Sequence, residues 1–293
     1  IDAAAPAVSA FETGPGEWRI EAYPKEPLFS AELVSRLALA AAAAGGALGE
    51  TAEEKLGPRD WLAENRLAFP PLRVGRFFIY GSHHQGRAPA GAVGILLDAA
   101  TAFGTGEHPS TRGCLLALQY LARRRPYRRP LDIGTGTGIL AIAAAKFLHR
   151  RVAARDIDAG AVSLARRNIA VNGVAALVRA GRAVGYQDRA LHGRRYDLVL
   201  SNILARPLAL MAADLARALA PGGRAVLSGL LRRQEAIVLA PHRGCGIVLE
   251  RRFVIDGWST LVLRGAPVRS RPGQAAPRSS RAPVRPRPGQ AAL

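Results

Sequence analysis

From residue 108 onward, short apolar runs alternate with longer stretches of helical periodicity, the pattern of an open α/β sheet. His108 to Arg125 predicts an amphipathic helix, Leu131 to Ile133 the end of a first strand, and Ile139 to Leu148 the helix after it. Val152 to Ile157 predicts a second strand, and Ala161 to Asn172 a helix stopped by Gly173. Leu177 to Ala180 is a short third strand, and Tyr196 to Leu200 a near-continuously apolar fourth, of the kind buried on both faces. Pro207 to Leu219 predicts a helix, Pro221-Gly222-Gly223 a tight turn, and Arg224 to Ser228 a fifth strand. Ile247 to Val254 and Ser259 to Leu263 predict a terminal hairpin across Asp256-Gly257. Upstream, Trp18 to Ala22 and Phe77 to Tyr80 predict strands, and Ser30 to Ala44 a helix.

In such sheets a ligand lies beyond the carboxyl ends of the strands. Gly134, Asp156 and Asn202 all fall on that edge. The turn after the first strand is Asp132-Ile133-Gly134-Thr135-Gly136-Thr137-Gly138. Its glycines are spaced G-x-G-x-G, whereas a dinucleotide site needs G-x-G-x-x-G; the third glycine position of that fingerprint is Ile139. Asp132 would repel a pyrophosphate and favours a cationic ligand instead. S-adenosylmethionine carries a sulfonium and an ammonium group and no phosphate, and D-x-G-x-G-x-G resembles the first motif of the Rossmann-like methyltransferases that use it. A glycine-rich turn without a ligand remains the competing reading. Asp156 ends the second strand, where a carboxylate can accept from both ribose hydroxyls; Asp158 suits the competing role of helix N-cap better. Asn202 ends the fourth strand. Its amide can accept from an incoming amine and donate to a carboxylate, or it is simply a polar turn residue.

Composition changes the picture little. The chain of 293 residues fits one or two domains, and no apolar run reaches the roughly 18 residues of a membrane span. The Ala-rich stretch from Leu37 to Leu48 is too short to span and predicts a surface helix ending at Gly45-Gly46. Neither a secretory signal nor a disulfide framework is expected, Cys114 and Cys245 being the only cysteines, and the expected setting is cytoplasmic. The net charge of +19 admits a polyanion partner, but of 41 basic residues only Lys25, Lys55 and Lys146 are lysine, a bias that a GC-rich genome produces by itself. Part of the charge is local: six arginines and no acid lie between Gly265 and Leu293, where an Ala-Pro-Val-Arg unit recurs at 266 and 282. That Pro-rich tail has too few large apolar residues to offset the entropy of ordering, so disorder is expected there.

A third constellation precedes the first strand: Ala102-Phe103-Gly104-Thr105-Gly106-Glu107-His108-Pro109-Ser110-Thr111. Phe103 can cover an adenosyl group, and the helix start at Thr111 can receive a carboxylate or, equally, a phosphate. His108 has no second His or Cys at ligand spacing, so no metal is expected. With this loop the chain closely resembles the PrmA family, methyltransferases of large-subunit ribosomal protein eleven. Ser201-Asn202-Ile203-Leu204-Ala205, Pro221-Gly222-Gly223 and Leu227-Ser228-Gly229-Leu230 belong to the same resemblance, which runs from about residue 16 through Trp61-Leu62 and Phe69-Pro70-Pro71 to about residue 264.

The resemblance implies a Rossmann-like α/β methyltransferase sheet with a terminal antiparallel hairpin over residues 95–264, preceded by a small α/β substrate-recognition domain to residue 85 and a linker at 86–94; the tail at 265–293 has no counterpart in the family. It implies S-adenosylmethionine as co-substrate, held by Thr111, Gly134, Asp156 and Asn202, with Phe103, Asp132 and Gly136 beside them. Ribosomal protein eleven is the implied substrate, methylated at lysine ε-amines, the α-amine, or both, with Asn202 orienting the reacting groups. A monomer without membrane association is expected, and direct RNA contact is allowed but not required. His108 and Glu107 are general-base candidates by location only. Arg155 stands where a small residue is usual in the family, and is expected to point away from the ligand. Two other readings stay open: a methyltransferase of RNA or a small molecule, and a non-catalytic S-adenosylmethionine-binding ribosome assembly factor.

Overall fold

The computed structural model describes residues 7–14, 16–23, 30–52, 70–84, 86–97 and 108–266. The chain divides into two compact units, Ile1–Asp60 and Trp61–Leu293. In the first, β1 (Ala7–Gly14) and β2 (Glu17–Tyr23) form an antiparallel hairpin, and Gly16 supplies the positive φ of its turn. Trp18 and Ile20 share one face of β2 and are exposed. Helix α1 (Ala31–Ala43) starts at Ser30, whose hydroxyl accepts from the Leu33 N–H at 3.2 Å.

The second unit is built on a seven-stranded sheet. Its strands are β6 (Pro130–Ile133), β7 (Val152–Asp156), β8 (Val178–Arg182), β9 (Tyr196–Asn202), β10 (Leu219–Leu231), β11 (Val248–Ile255) and β12 (Trp258–Arg264). The order is β11-β12-β10-β9-β6-β7-β8; β12 runs antiparallel to both neighbours, and the strands from β10 to β8 are parallel. The order turns between β6 and β9, so the crevice expected of a doubly wound sheet opens above Ile133 and Asn202. Helices α2 (Pro109–Ala122), α3 (Ile139–Leu148), α4 (Ala159–Val171), α5 (Ala205–Leu210), α6 (Ala212–Ala218) and α7 (Glu235–Gly244) cover it.

Strand side chains alternate between two cores. Leu198, Leu200 and Val262 join α2, α3 and α4 on one face. Leu131, Val199 and Leu261 join α5, α6 and α7 on the other. Helix α3, rich in alanine, is buried from Ile139 to Ala145, small side chains letting it lie close to the sheet. At the β8 edge, Arg166 donates through Nε and Nη2 to the Ala180 carbonyl, at 3.2 and 3.1 Å.

Several features differ from the sequence expectation. The predicted helix Pro207 to Leu219 is two helices meeting at Met211. Helix α7, which contains Pro241, was not expected. The division between the compact units falls after Asp60, and strands on both sides of residue 85, where the sequence suggested a boundary with a linker at 86–94, pair in one small sheet. A small sheet of β3 (Leu72–Val74), β4 (Phe77–Tyr80) and β5 (Val93–Leu96) packs into the second unit. The Phe77 ring lies 5.2 Å from that of Phe147, and Asn172 accepts from the Leu96 N–H at 3.0 Å while donating to its carbonyl at 2.7 Å. Gln119 closes the β3–β4 turn, accepting from the Arg76 N–H at 2.8 Å and donating to the Val74 carbonyl at 3.1 Å. Residues 98–107 and those from 267 onward lie outside the described residues.

Candidate functional site

Gly134, Gly136 and Gly138 all adopt positive φ, at 72°, 53° and 86°, a conformation that excludes most side chains. The loop they form hooks over the end of β7: the Gly134 and Thr135 N–H groups both donate to the Arg155 carbonyl, at 2.8 and 3.0 Å. A Cβ on Gly134 would sit 2.2 Å from Ile203 Cγ2, and one on Gly138 3.3 Å from Ala165 Cβ. Asn168 on α4 donates to the Thr137 carbonyl at 2.8 Å. The turn is thus wedged between two strands and a helix.

Asp156, half-buried, holds that turn as well. Its Oδ2 accepts from the Gly136 N–H at 2.8 Å and its Oδ1 from the Asp158 N–H at 3.0 Å. Each oxygen takes one backbone donor and keeps acceptor capacity. Asp158 is the N-cap of α4, accepting from Gly160 and Ala161, as expected from the sequence. Beneath the loop, Asp132 is fully buried. Thr135 donates to its Oδ2 at 2.7 Å, while its Oδ1 has no hydrogen-bond partner. Burial pushes the Asp132 carboxyl up to about 7, against a smaller opposing effect of the Thr135 hydroxyl.

Asn202 stands at the end of β9. Its Nδ2 donates to the Thr111 hydroxyl, 3.2 Å away in the first turn of α2, which engages the amide's donor end and makes Oδ1 the end suited to a new donor. Ser201 donates to the Ile133 carbonyl at 2.9 Å and ties β9 to β6 at the same level. The Ile203 N–H donates to the Ser228 carbonyl at 3.1 Å. Gly229, at φ 86°, is the residue this approach requires, since a Cβ there would lie 2.3 Å from the Ile203 carbonyl oxygen. Helix α2 seats as closely: a Cβ on Gly113 would meet Thr260 Oγ1 at 2.2 Å.

The structure therefore brings Gly134, Gly136, Asp132 and Asp156 together at one end of the sheet, and Thr111 with Asn202 beside them. Phe103 and Glu107 lie outside the described residues. His108 is occupied locally. Its Nδ1 is 2.7 Å from Ser110 Oγ and accepts from the Ser110 N–H, its ring stands edge-on to Trp258, and burial lowers its pKa. Arg155 is buried, ion-paired with Asp188, and donates to the carbonyls of Ala154 and Arg179 at 2.8 and 2.9 Å. Its polar atoms are thus spent on the β8 side of the sheet. A cleft of about 430 Å³ at that edge is lined by Arg155, Arg166 and Ile169 among others, and neither Asp156 nor Asn202 borders it. Among the described residues no group of His, Cys, Asp and Glu is placed to hold a metal ion, and no helix is long and apolar enough to cross a membrane. The supporting residues Ser201, Asn168 and Gly113 carry no local sequence signal; their roles depend on strands and helices far away in the chain.

Residues 5–265 match the family model for ribosomal protein L11 methyltransferase (PrmA). The chain belongs to the PrmA family. A PrmA relative from Rhodopseudomonas palustris, named ribosomal protein L11 methyltransferase, is 42% identical over 88% of this chain and 87% of its own. One of the same name from Bradyrhizobium diazoefficiens is 43% identical over 88% and 87%. The fold is also that of a ribosomal protein L11 methylase structure from Lactobacillus delbrueckii, with a TM-score of 0.60 and 24% identity over 67% of this chain and 98% of that one. The segment from Phe103 to Thr111, the glycine turn and the Asn202 segment all lie inside the PrmA match.

Proposed function

We propose that this PrmA-family chain transfers methyl groups from S-adenosylmethionine to amines of ribosomal protein L11, at lysine ε-amines, the α-amine, or both. The observation that carries the reading is one crevice in which an acid-held glycine turn meets an asparagine anchored by Thr111. The site suits S-adenosylmethionine on its own chemistry. Asp156 retains acceptor capacity for ribose hydroxyls, the orphaned buried oxygen of Asp132 favours a nearby cation, and the positive-φ glycines leave backbone room for a close ligand. Thr111 and Asn202 would face the methionyl and acceptor end, and Phe103 would cover the adenosyl group.

S-adenosylmethionine supplies a methyl group already activated as a sulfonium. The protein has to align an amine and keep it neutral. A lysine amine titrates near about 10.4 in water, and entry into a crevice of low dielectric lowers that value. Asn202 Oδ1 then accepts one N–H of the neutral amine and fixes where its lone pair points. His108, bound to Ser110 and packed on Trp258, is a poor general base, so positioning and desolvation carry the reaction. The N-terminal unit, with Trp18 and Ile20 exposed on one strand face, would grip the protein substrate.

The test is incubation with S-adenosylmethionine and purified ribosomal protein L11, followed by intact-mass spectrometry. Successive methyl increments are expected, and fragmentation would locate the amines. An unchanged mass, with S-adenosylmethionine binding confirmed separately, would reject the substrate and turn attention to RNA or small-molecule acceptors.

A further inference from the structure

The C-terminal end of α2 and the loop into β6 carry Arg123, Arg124, Arg125, Arg128 and Arg129. Across from them, on β11, Arg251 is exposed. Among the described residues none of these six guanidiniums has a carboxylate partner, and the acids nearby are committed elsewhere. Asp197 accepts from the backbone N–H groups of Arg128 and Arg129 at 2.6 and 2.9 Å, and Glu250 pairs with Arg224 at 2.6 Å.

Aromatic rings organise part of this charge. The Arg124 guanidinium lies 3.6 Å from the Tyr120 ring centroid, and that of Arg251 lies 4.6 Å from the same centroid and 5.1 Å from that of Phe253. Tyr120 and Phe253 stand edge-on at 6.0 Å. A guanidinium held over a ring loses little freedom on binding. Its outer face can stack on a base while its in-plane N–H groups reach phosphates. Arginines in a charge run free of acids, interleaved with aromatics, form the footprint expected for single-stranded nucleic acid. An acidic peptide would need the charge but not the cation–ring contacts.

We propose that this surface binds single-stranded RNA. It lies at the end of α2 opposite Thr111; a helix of 14 residues spans about 21 Å. RNA held there would leave the crevice at Asn202 open, so the surface would retain the enzyme near RNA while the site works. The proposal does not depend on the substrate assigned above.

The experiment measures fluorescence anisotropy of a labelled single-stranded 20-nucleotide RNA with the full chain across a salt series. Three proteins are compared: wild type, Arg123→Glu/Arg128→Glu/Arg129→Glu, and Arg124→Lys/Arg251→Lys. The charge-reversed protein should lose at least about tenfold in affinity, and its salt slope should fall by about two, since each phosphate contact on a single strand contributes about 0.7. The lysine protein keeps the charge and should lose several-fold for RNA but not for poly-glutamate. S-adenosylmethionine binding by both variants, measured calorimetrically, should match wild type and report that each is folded. Unchanged RNA affinity and slope in the charge-reversed protein would overturn the proposal and leave binding to the arginines of the tail. Equal losses for RNA and poly-glutamate in the lysine protein would overturn the assignment to RNA.

Discussion

Asp132→Asn tests whether the buried acid below the glycine turn is kept for a ligand at the expense of stability. Burial raises the Asp132 carboxyl from 3.8 to about 7. Between those values the folded chain holds a proton that the unfolded chain has released, so stability falls as pH rises, and levels off above about pH 7. The full shift corresponds to about 4 kcal/mol. Asparagine removes that slope and keeps an acceptor for the Thr135 hydroxyl. It also places an amide N–H where Oδ1 has no partner, which costs about 1–3 kcal/mol. The net expectation is that Asp132→Asn is more stable than wild type by about 1–3 kcal/mol at pH 8, with the advantage vanishing or reversing at pH 5. Urea unfolding without ligand, at intervals between pH 5 and 8, measures it. S-adenosylmethionine affinity should rise with pH in the wild type and be weak and flat in the variant. A stability difference that does not change with pH would refute the account, because the asparagine's own cost is pH-independent.

Asn202→Ala should lower turnover by about a hundredfold, the scale of misplacing a reactant, and weaken S-adenosylmethionine binding to a smaller extent; near-normal turnover in the mass assay would remove Asn202 from the mechanism. Gly229→Ala should destabilise more than Gly134→Ala, by about 4 against about 2 kcal/mol, because the obstacle is the Ile203 backbone in the first case and its side chain in the second. Denaturant melts of the two variants compare them directly. Arg155→Met should cost about 2 kcal/mol by leaving Asp188 and two carbonyls without their donor. Calorimetric S-adenosylmethionine affinity should nevertheless stay within about twofold, and a larger loss would place Arg155 in the ligand site.

The central sheet was legible because each strand is short, apolar and followed by its own helix signal, so Leu131–Ile133 and Tyr196–Leu200 announce themselves locally. Strand β5 did not. Val93–Leu96 sits in a Gly- and Pro-rich stretch, and becomes a strand only by pairing with β4 and by the grip of Asn172, 76 positions away. Phe77 likewise meets its packing partner Phe147 only once the chain is folded. Helix α7 was hidden by Pro241, which is tolerated near its last turn. The glycine turn, Asp156 and Asn202 were readable because their positions relative to strand ends define them. The Asp156 bond to Gly136 was not, since nothing in the spacing tells whether an acid faces a ligand or its own backbone.

That bond has a consequence for how affinity is measured. Asp156 is the clasp of the glycine turn and, on the proposed function, would also be a ligand group, so folding of the loop and capture of the ligand would share one carboxylate. Removing it lowers the intrinsic affinity and also the fraction of molecules able to bind, and an equilibrium titration reports only the product of the two. The ribose contribution of Asp156 can be isolated only alongside a measure of how open the turn is without ligand, such as amide exchange at Gly136.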